Sequence, residues 1–291
     1  VVFSHGWYDL PSFEWEEREK KLRATAYAAG RVVDLVITSP ARGRVQIHAT
    51  FAGRASKTIE STIDEIVAGM LGLAQSFDDF YRQAGTDYDW AKQRGAGPFL
   101  RGATVFEDAV KMLATTNCSW SLTRQMMKRL VQELGEKSPS GSRAFPTPDA
   151  MAQRPVEFYR DVIRAGYRSA FFHQFAKAVA DGAINVESWR HFEGSTGDLI
   201  KEIRSMAGFG PYAAENLCKL LGRFDGLGLD SWCLKKYPEI AGPIRGDVAK
   251  TIARRYERFG RWKGLALWLD LTRDWHEESP SEEASATFQK R

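Results

Sequence analysis

Cysteine is scarce in this 291-residue chain: Cys118, Cys218 and Cys233 lie far apart and are odd in number. That argues against a disulfide framework and for a reducing compartment. It also excludes a four-cysteine iron–sulfur site. The histidines stand singly, and no His-x-x-x-His or Cys-x-x-Cys pair occurs, so no transition-metal centre is expected. Apolar runs fall short of the ~18 residues that mark a membrane-crossing helix, so none is expected. The opening Val1-Val2-Phe3-Ser4-His5-Gly6-Trp7 is too short and too polar for a signal peptide. The lack of an initiator Met reads as a trimmed chain. Internal repeats are missing.

What is present suffices for two or three subdomains, at 43% apolar residues. A net charge of +4 permits nucleic-acid binding without predicting it. Basic pairs such as Lys128-Arg129, Lys235-Lys236 and Arg254-Arg255 each read as solvated helix faces.

The hydrophobic period divides the chain. Residues 1–22 read as an aromatic and charged lead-in. Residues 23–55 read as strands, with Ser39-Pro40-Ala41-Arg42-Gly43 as a turn and Val45, Ile47, Ala49 and Phe51 alternating with polar neighbours. From Lys57 the period becomes helical, through Ile59, Ile63, Val67 and Met70. Everything after Pro98 reads helical, including 187–206, apart from a flexible loop at Lys137–Ser142. The expected class is α+β: an antiparallel sheet plus helix over 1–97, a mostly helical domain over 98–276, and a frayed polar tail at 277–291.

The most informative stretch is Met206-Ala207-Gly208-Phe209-Gly210-Pro211-Tyr212, followed twenty residues after Gly210 by Asp230. Helical patterns flank two glycines one residue apart, which makes a tight helix–turn–helix. Pro211 fits the first turn of the second helix. Such a turn aims free backbone N–H groups outward, where a phosphate is favoured. Taken singly, the glycines are a compact turn and Asp230 is equally an N-cap for residues 231–237.

The combination resembles the signature of the helix-hairpin-helix (HhH-GPD) DNA glycosylase superfamily. That superfamily includes endonuclease III, mismatch adenine glycosylases, 8-oxoguanine glycosylases and the 3-methyladenine glycosylase II group. The resemblance spans roughly residues 77–275 and fits the last two groups best. It implies two helical subdomains, with the damaged base of double-stranded DNA flipped between them. Ala207, Gly208, Gly210 and Pro211 would then grip one DNA phosphate, with a monovalent cation shared by the hairpin carbonyls. Asp230 falls at the catalytic aspartate position, where a carboxylate stabilises oxocarbenium-like charge at C1′. Asp225, the nearest rival, reads as part of a turn.

Tyr212 stands where bifunctional relatives carry a lysine that forms a Schiff base with C1′. An aromatic there implies a base-pocket wall and monofunctional, water-mediated chemistry. Asn117, locally a polar turn in Thr115-Thr116-Asn117-Cys118-Ser119, resembles the 8-oxoguanine enzymes' filler for the hole left by the flipped nucleotide. Tyr167 and Arg168, locally a helix start with one surface Arg, resemble the step that probes the opposite strand. Trp262 and Trp268 read as core.

The expected function is excision of an alkylated purine such as 3-methyladenine, leaving an abasic site. The alternatives are an oxidised-purine (8-oxoguanine) glycosylase, a non-catalytic hairpin DNA-binding protein, and a lyase that uses another lysine such as Lys219. By the same resemblance the protein is a monomer of the cytoplasm or nucleoid, with no iron–sulfur cluster and no membrane partner.

Overall fold

The structure, a computed structural model, describes residues 1–277; the polar tail that follows, expected to fray, lies outside the described residues. Four strands come first: β1 Phe13–Glu16, β2 Lys21–Ala28, β3 Arg31–Ala41 and β4 Arg44–Phe51. They pair antiparallel in sequence order. The register sets Leu22 opposite Ile37, Ala24 opposite Leu35 and Ala26 opposite Val33. The period of two puts these side chains on one face, and all are buried. Helix α1 (Lys57–Leu71), capped by Ser56, packs against β2 and buries Ile59, Ile63, Val67 and Met70.

The helical part follows: α2 (Asp78–Ala84), α3 (Asp89–Arg94), α4 (Val105–Thr115), α5 (Trp120–Leu134), α6 (Pro148–Ala152), α7 (Val156–Asp161) and α8 (Ser169–Ala180). After these come α9 (Thr196–Arg204), α10 (Pro211–Leu220), α11 (Ser231–Ala241), α12 (Val248–Tyr256), α13 (Lys263–Leu271) and α14 (Arg273–Glu277). The architecture is α+β, as the change of period implies. Among the described residues no helix is long and apolar enough to cross a membrane.

Four local expectations need correction. The lead-in supplies a strand, because Phe13 pairs with Ala24 and buries its ring. Ser39-Pro40-Ala41 belongs to β3, with a register shift between Thr38 and Ala41, so the turn is only Arg42-Gly43. Proline is tolerated where such an irregularity removes the need for its N–H. The 187–206 run is broken: a 3-10 turn covers Val186–His191, and Ser195 starts α9 afresh by accepting from Asp198 N at 3.1 Å. The Lys137–Ser142 loop is not free, since Ser138 N donates to Ser142 O at 2.8 Å and Ser140 N to Asp34 Oδ2 at 3.2 Å.

Helix α4 anchors the molecule. Val105 through Ala114 are all buried, yet three of them are charged. Thr104 caps the helix, and the Glu187 carboxylate accepts from Val105 N and Phe106 N at 3.0 Å each. Glu107 and Lys111 pair at 2.5 Å, one turn apart, with Ser12 donating to Glu107 at 2.8 Å. Trp7 Nε1 and Gly102 N both donate to Asp108, at 2.8 and 2.7 Å. Burial pushes Asp108 up to about 6, and the Gly102 N–H works against that shift. Thus the first residues of the chain are hydrogen-bonded onto the helix that leads to Asn117. Replacing Lys111 with Met strands a buried carboxylate. It is expected to cost about 3–5 kcal/mol of stability in urea unfolding.

Candidate active site and nucleic-acid interface

The hairpin joins α9 to α10. Gly208 sits at φ +92°, where an L side chain is strained. Space also forbids one: a Cβ there would lie 2.8 Å from Phe171 Cδ2 and 2.9 Å from Leu113 Cδ2. The turn is thereby pressed onto α8 and the end of α4. Phe209 is its anchor, buried with its ring 5.2 Å from Phe175. Gly210 differs: its φ is −73°, open space surrounds it, and it is the N-cap of α10 without a side chain to cap with. Ala207, Gly210 and Pro211 are exposed. The first-turn N–H groups of α10 therefore face outward without a side-chain acceptor, which suits an anion.

Asn117 occupies the turn between α4 and α5, exposed, at φ +43°. Asparagine tolerates this left-handed backbone better than most residues. Arg168 holds the turn in place. Its guanidinium donates to Thr116 O, to Asn117 O at 3.0 Å and to Thr116 Oγ1 at 3.3 Å. It is only 6% exposed, so the surface Arg of the local sequence reading is instead a buried support. Tyr167 remains outside, 56% exposed, with its hydroxyl donating to Thr116 O at 3.2 Å and its ring under the Arg168 cation.

Asp230 caps α11, and its Oδ1 accepts from Cys233 N at 2.7 Å. The residue is half-buried, so the cap role leaves part of the carboxylate open to solvent. Tyr212 lies in the first turn of α10. Burial and then the Asp230 charge raise the Tyr212 phenol well above its ordinary value, while the Thr115 hydroxyl acts the other way. Asp225 is exposed and accepts from Thr196 Oγ1 at 2.6 Å, which ties the loop to the start of α9.

Two residues that the sequence did not single out, Glu215 and Asn216, shape the loop together with Lys219, which it raised only as an alternative lyase lysine. Glu215, Asn216 and Lys219 recur at helical spacing after Tyr212 on one side of α10. Glu215 Oε2 accepts from Gly228 N at 2.6 Å, and Asn216 Nδ2 donates to Gly228 O at 3.1 Å. Lys219 Nζ donates to Leu227 O at 2.7 Å and to Asn216 Oδ1 at 3.2 Å. Gly228 stands at φ +60°, and a Cβ there would lie 2.7 Å from the Asn216 amide. Beside the loop, half-buried Trp232, Trp268 and Trp275 pack in tilted and edge-to-face pairs with centroids 5.8–5.9 Å apart. Trp262 is buried, as expected of a core residue, whereas Trp268 is only partly so. The cavity under Trp189, lined by Glu202, Ser205 and Met206, backs onto α9 and not onto Asp230.

No protein-family model and no curated protein matches the sequence. Solved structures do. A 3-methyladenine DNA glycosylase from Archaeoglobus fulgidus superposes with TM-score 0.72 at 19% identity, covering 93% of each chain. The chain has a DNA glycosylase fold. The 8-oxoguanine glycosylase/lyase of Clostridium acetobutylicum, in its apo-form, gives TM-score 0.68 at 16% identity over 92% of this chain and 93% of that one. The same enzyme with double-stranded DNA containing cytosine opposite 8-oxoG gives 0.66 at 14%, over 93% and 92%. At these identities the likeness is one of fold. The glycosylase fold extends through the N-terminal sheet, which in the sequence matched in type more than in letters.

Proposed function

We propose that this protein is a base-excision DNA glycosylase that hydrolyses the N-glycosidic bond of a damaged base flipped out of a duplex. The observation that carries the reading is the pairing, in a DNA glycosylase fold, of an exposed hairpin that leaves the N-terminus of α10 without a side-chain cap and a half-buried Asp230 that caps α11. In this reading the hairpin N–H groups at 207–211 grip one phosphate, and Asn117 enters the stack while the base leaves it. The C1′–N bond breaks with its electron pair going to the base. The Asp230 carboxylate stabilises the positive charge left on the sugar and directs a water to C1′. Exposed Ala207 and Gly210 leave room for the monovalent cation implied at the hairpin, which stays part of this proposal.

Monofunctional chemistry is supported by the residues at hand. Tyr212 offers no amine, and the Lys219 ammonium is 2% exposed and turned toward Leu227 and Asn216. Borohydride in the reaction is expected to trap no protein–DNA adduct. We favour alkylated purines because Tyr212 stands where a lysine would be and a base made cationic by alkylation leaves easily. A lesion panel tests this choice. Free 3-methyladenine or 7-methylguanine is expected from methylated duplex, and release of 8-oxoguanine alone would assign the oxidised-purine reading instead. Binding to every duplex without release of any base would assign the non-catalytic one.

A further inference from the structure

We infer that Lys219 is a positioning residue for Asp230: its buried ammonium fixes the loop that carries the carboxylate. This inference rests on the base-excision reading above. Lys219 lies on a helix whose neighbouring Ala213, Ala214, Leu217, Cys218 and Leu220 are buried and apolar or nearly so. An apolar side chain would fill the position without the cost of desolvating a cation. The ammonium is instead committed to the Leu227 carbonyl at 2.7 Å and the Asn216 amide oxygen at 3.2 Å. Both partners are neutral. Leu227 is three residues before Asp230, and Gly228, gripped on both its N–H and its carbonyl, lies between them.

The loop cannot relax away from this clamp. A Cβ on Gly228 would lie 2.8 Å from Lys219 Nζ, and one on Gly264, at the start of α13, would lie 3.1 Å from Lys219 Cε. On the remaining side the Trp268 ring is 5.8 Å from Nζ. The titratable groups whose charges act on the ammonium are Cys233 and Asp230 from α11 and its cap, and Glu215 from α10 itself. The Cys233 thiol is pushed up to about 12, first by burial, and is neutral near pH 7. Glu215 spends an oxygen on Gly228 N at 2.6 Å. Burial lowers the Lys219 ammonium itself, with those carboxylates acting the other way.

The test compares wild-type protein with Lys219→Met and Lys219→Gln in single-turnover base release, duplex affinity and thermal unfolding. Lys219→Met keeps the length and removes charge and donors. It is expected to slow release by about 10- to 100-fold, the loss that follows misplacing a reacting group. Duplex affinity is expected to stay within about twofold. Lys219→Gln restores a donor without charge. It is expected to recover part of the rate. A folded Lys219→Met protein with wild-type rate overturns the inference, as does a slowed Lys219→Met enzyme whose duplex affinity falls in step or whose rate Lys219→Gln does not recover in part. If neither variant folds, Lys219 serves the core alone and the inference is equally overturned. Wild-type protein that releases no base from any damaged duplex overturns the base-excision reading itself, which the variants then do not address.

Discussion

Asp230→Asn is expected to slow base release by about 10²- to 10³-fold, the loss typical when one electrostatic stabiliser is removed from a developing charge. The substitution is informative because so little else changes. Asparagine is as good an N-cap as aspartate, and its side-chain oxygen still accepts the Cys233 N–H now held at 2.7 Å. Stability is expected to move by less than about 1 kcal/mol. The hairpin and the Asn117 turn lie outside the substitution, so duplex affinity is expected to stay within about twofold. Single-turnover release and a binding titration on the same duplex separate the two quantities. A variant that kept wild-type release would remove Asp230 from the mechanism and leave it only the cap.

Gly208→Val is expected to fail differently, in binding and in stability together. Valine at φ +92° costs about 1–3 kcal/mol of backbone strain. Its Cβ would also meet Phe171 and Leu113 below 3 Å, which forces the turn off its support. Losing one charge-assisted bond to phosphate costs about 1.5–3 kcal/mol, or roughly 10- to 100-fold in affinity. Gly210→Ala is the stability contrast, because φ −73° and open space admit a methyl group. Unfolding is expected to show less than about 1 kcal/mol of change. Equal destabilisation by the two substitutions would mean that the hairpin does not depend on the contact of Gly208 with α8 and α4.

These two residues also mark how far the sequence could be read. Local chemistry leaves local marks. Two glycines around Phe209, a proline after them and an aspartate twenty residues on are visible as letters. So is the switch from a period of two to one of 3.6 near Lys57. Interactions between distant segments leave none. Phe13–Glu16 looks like charged lead-in until β2 is there to pair with it. Arg168 looks like a surface arginine until Thr116 and Asn117, some fifty residues away, offer it carbonyls. Phe192–Gly194 break a run that reads as one helix, and only the fresh Ser195 cap hints at it. The clamp on α10 had a faint signal, polar residues at helical spacing on an apolar helix. What they hold, the peptide groups of Leu227 and Gly228, has no side-chain signature.

Within the site, the same distinction separates chemistry from its support. Asp230 and Tyr212 follow from motif and spacing. The backbone that carries them is set by Gly208 seated between Phe171 and Leu113, and by the clamp on 227–228. On the proposed reading, a tyrosine in place of an amine leaves water as the nucleophile, and an intact sugar–phosphate backbone is the expected outcome.

The most direct measurement is a single-turnover time course on an end-labelled duplex carrying 3-methyladenine, with each sample divided and half treated with hot alkali. The expected result is free base appearing in step with alkali-dependent cleavage, while the untreated strand stays whole. Strand cleavage without alkali would contradict the monofunctional mechanism, and neither base nor cleavage from this or any other damaged duplex would contradict base excision altogether.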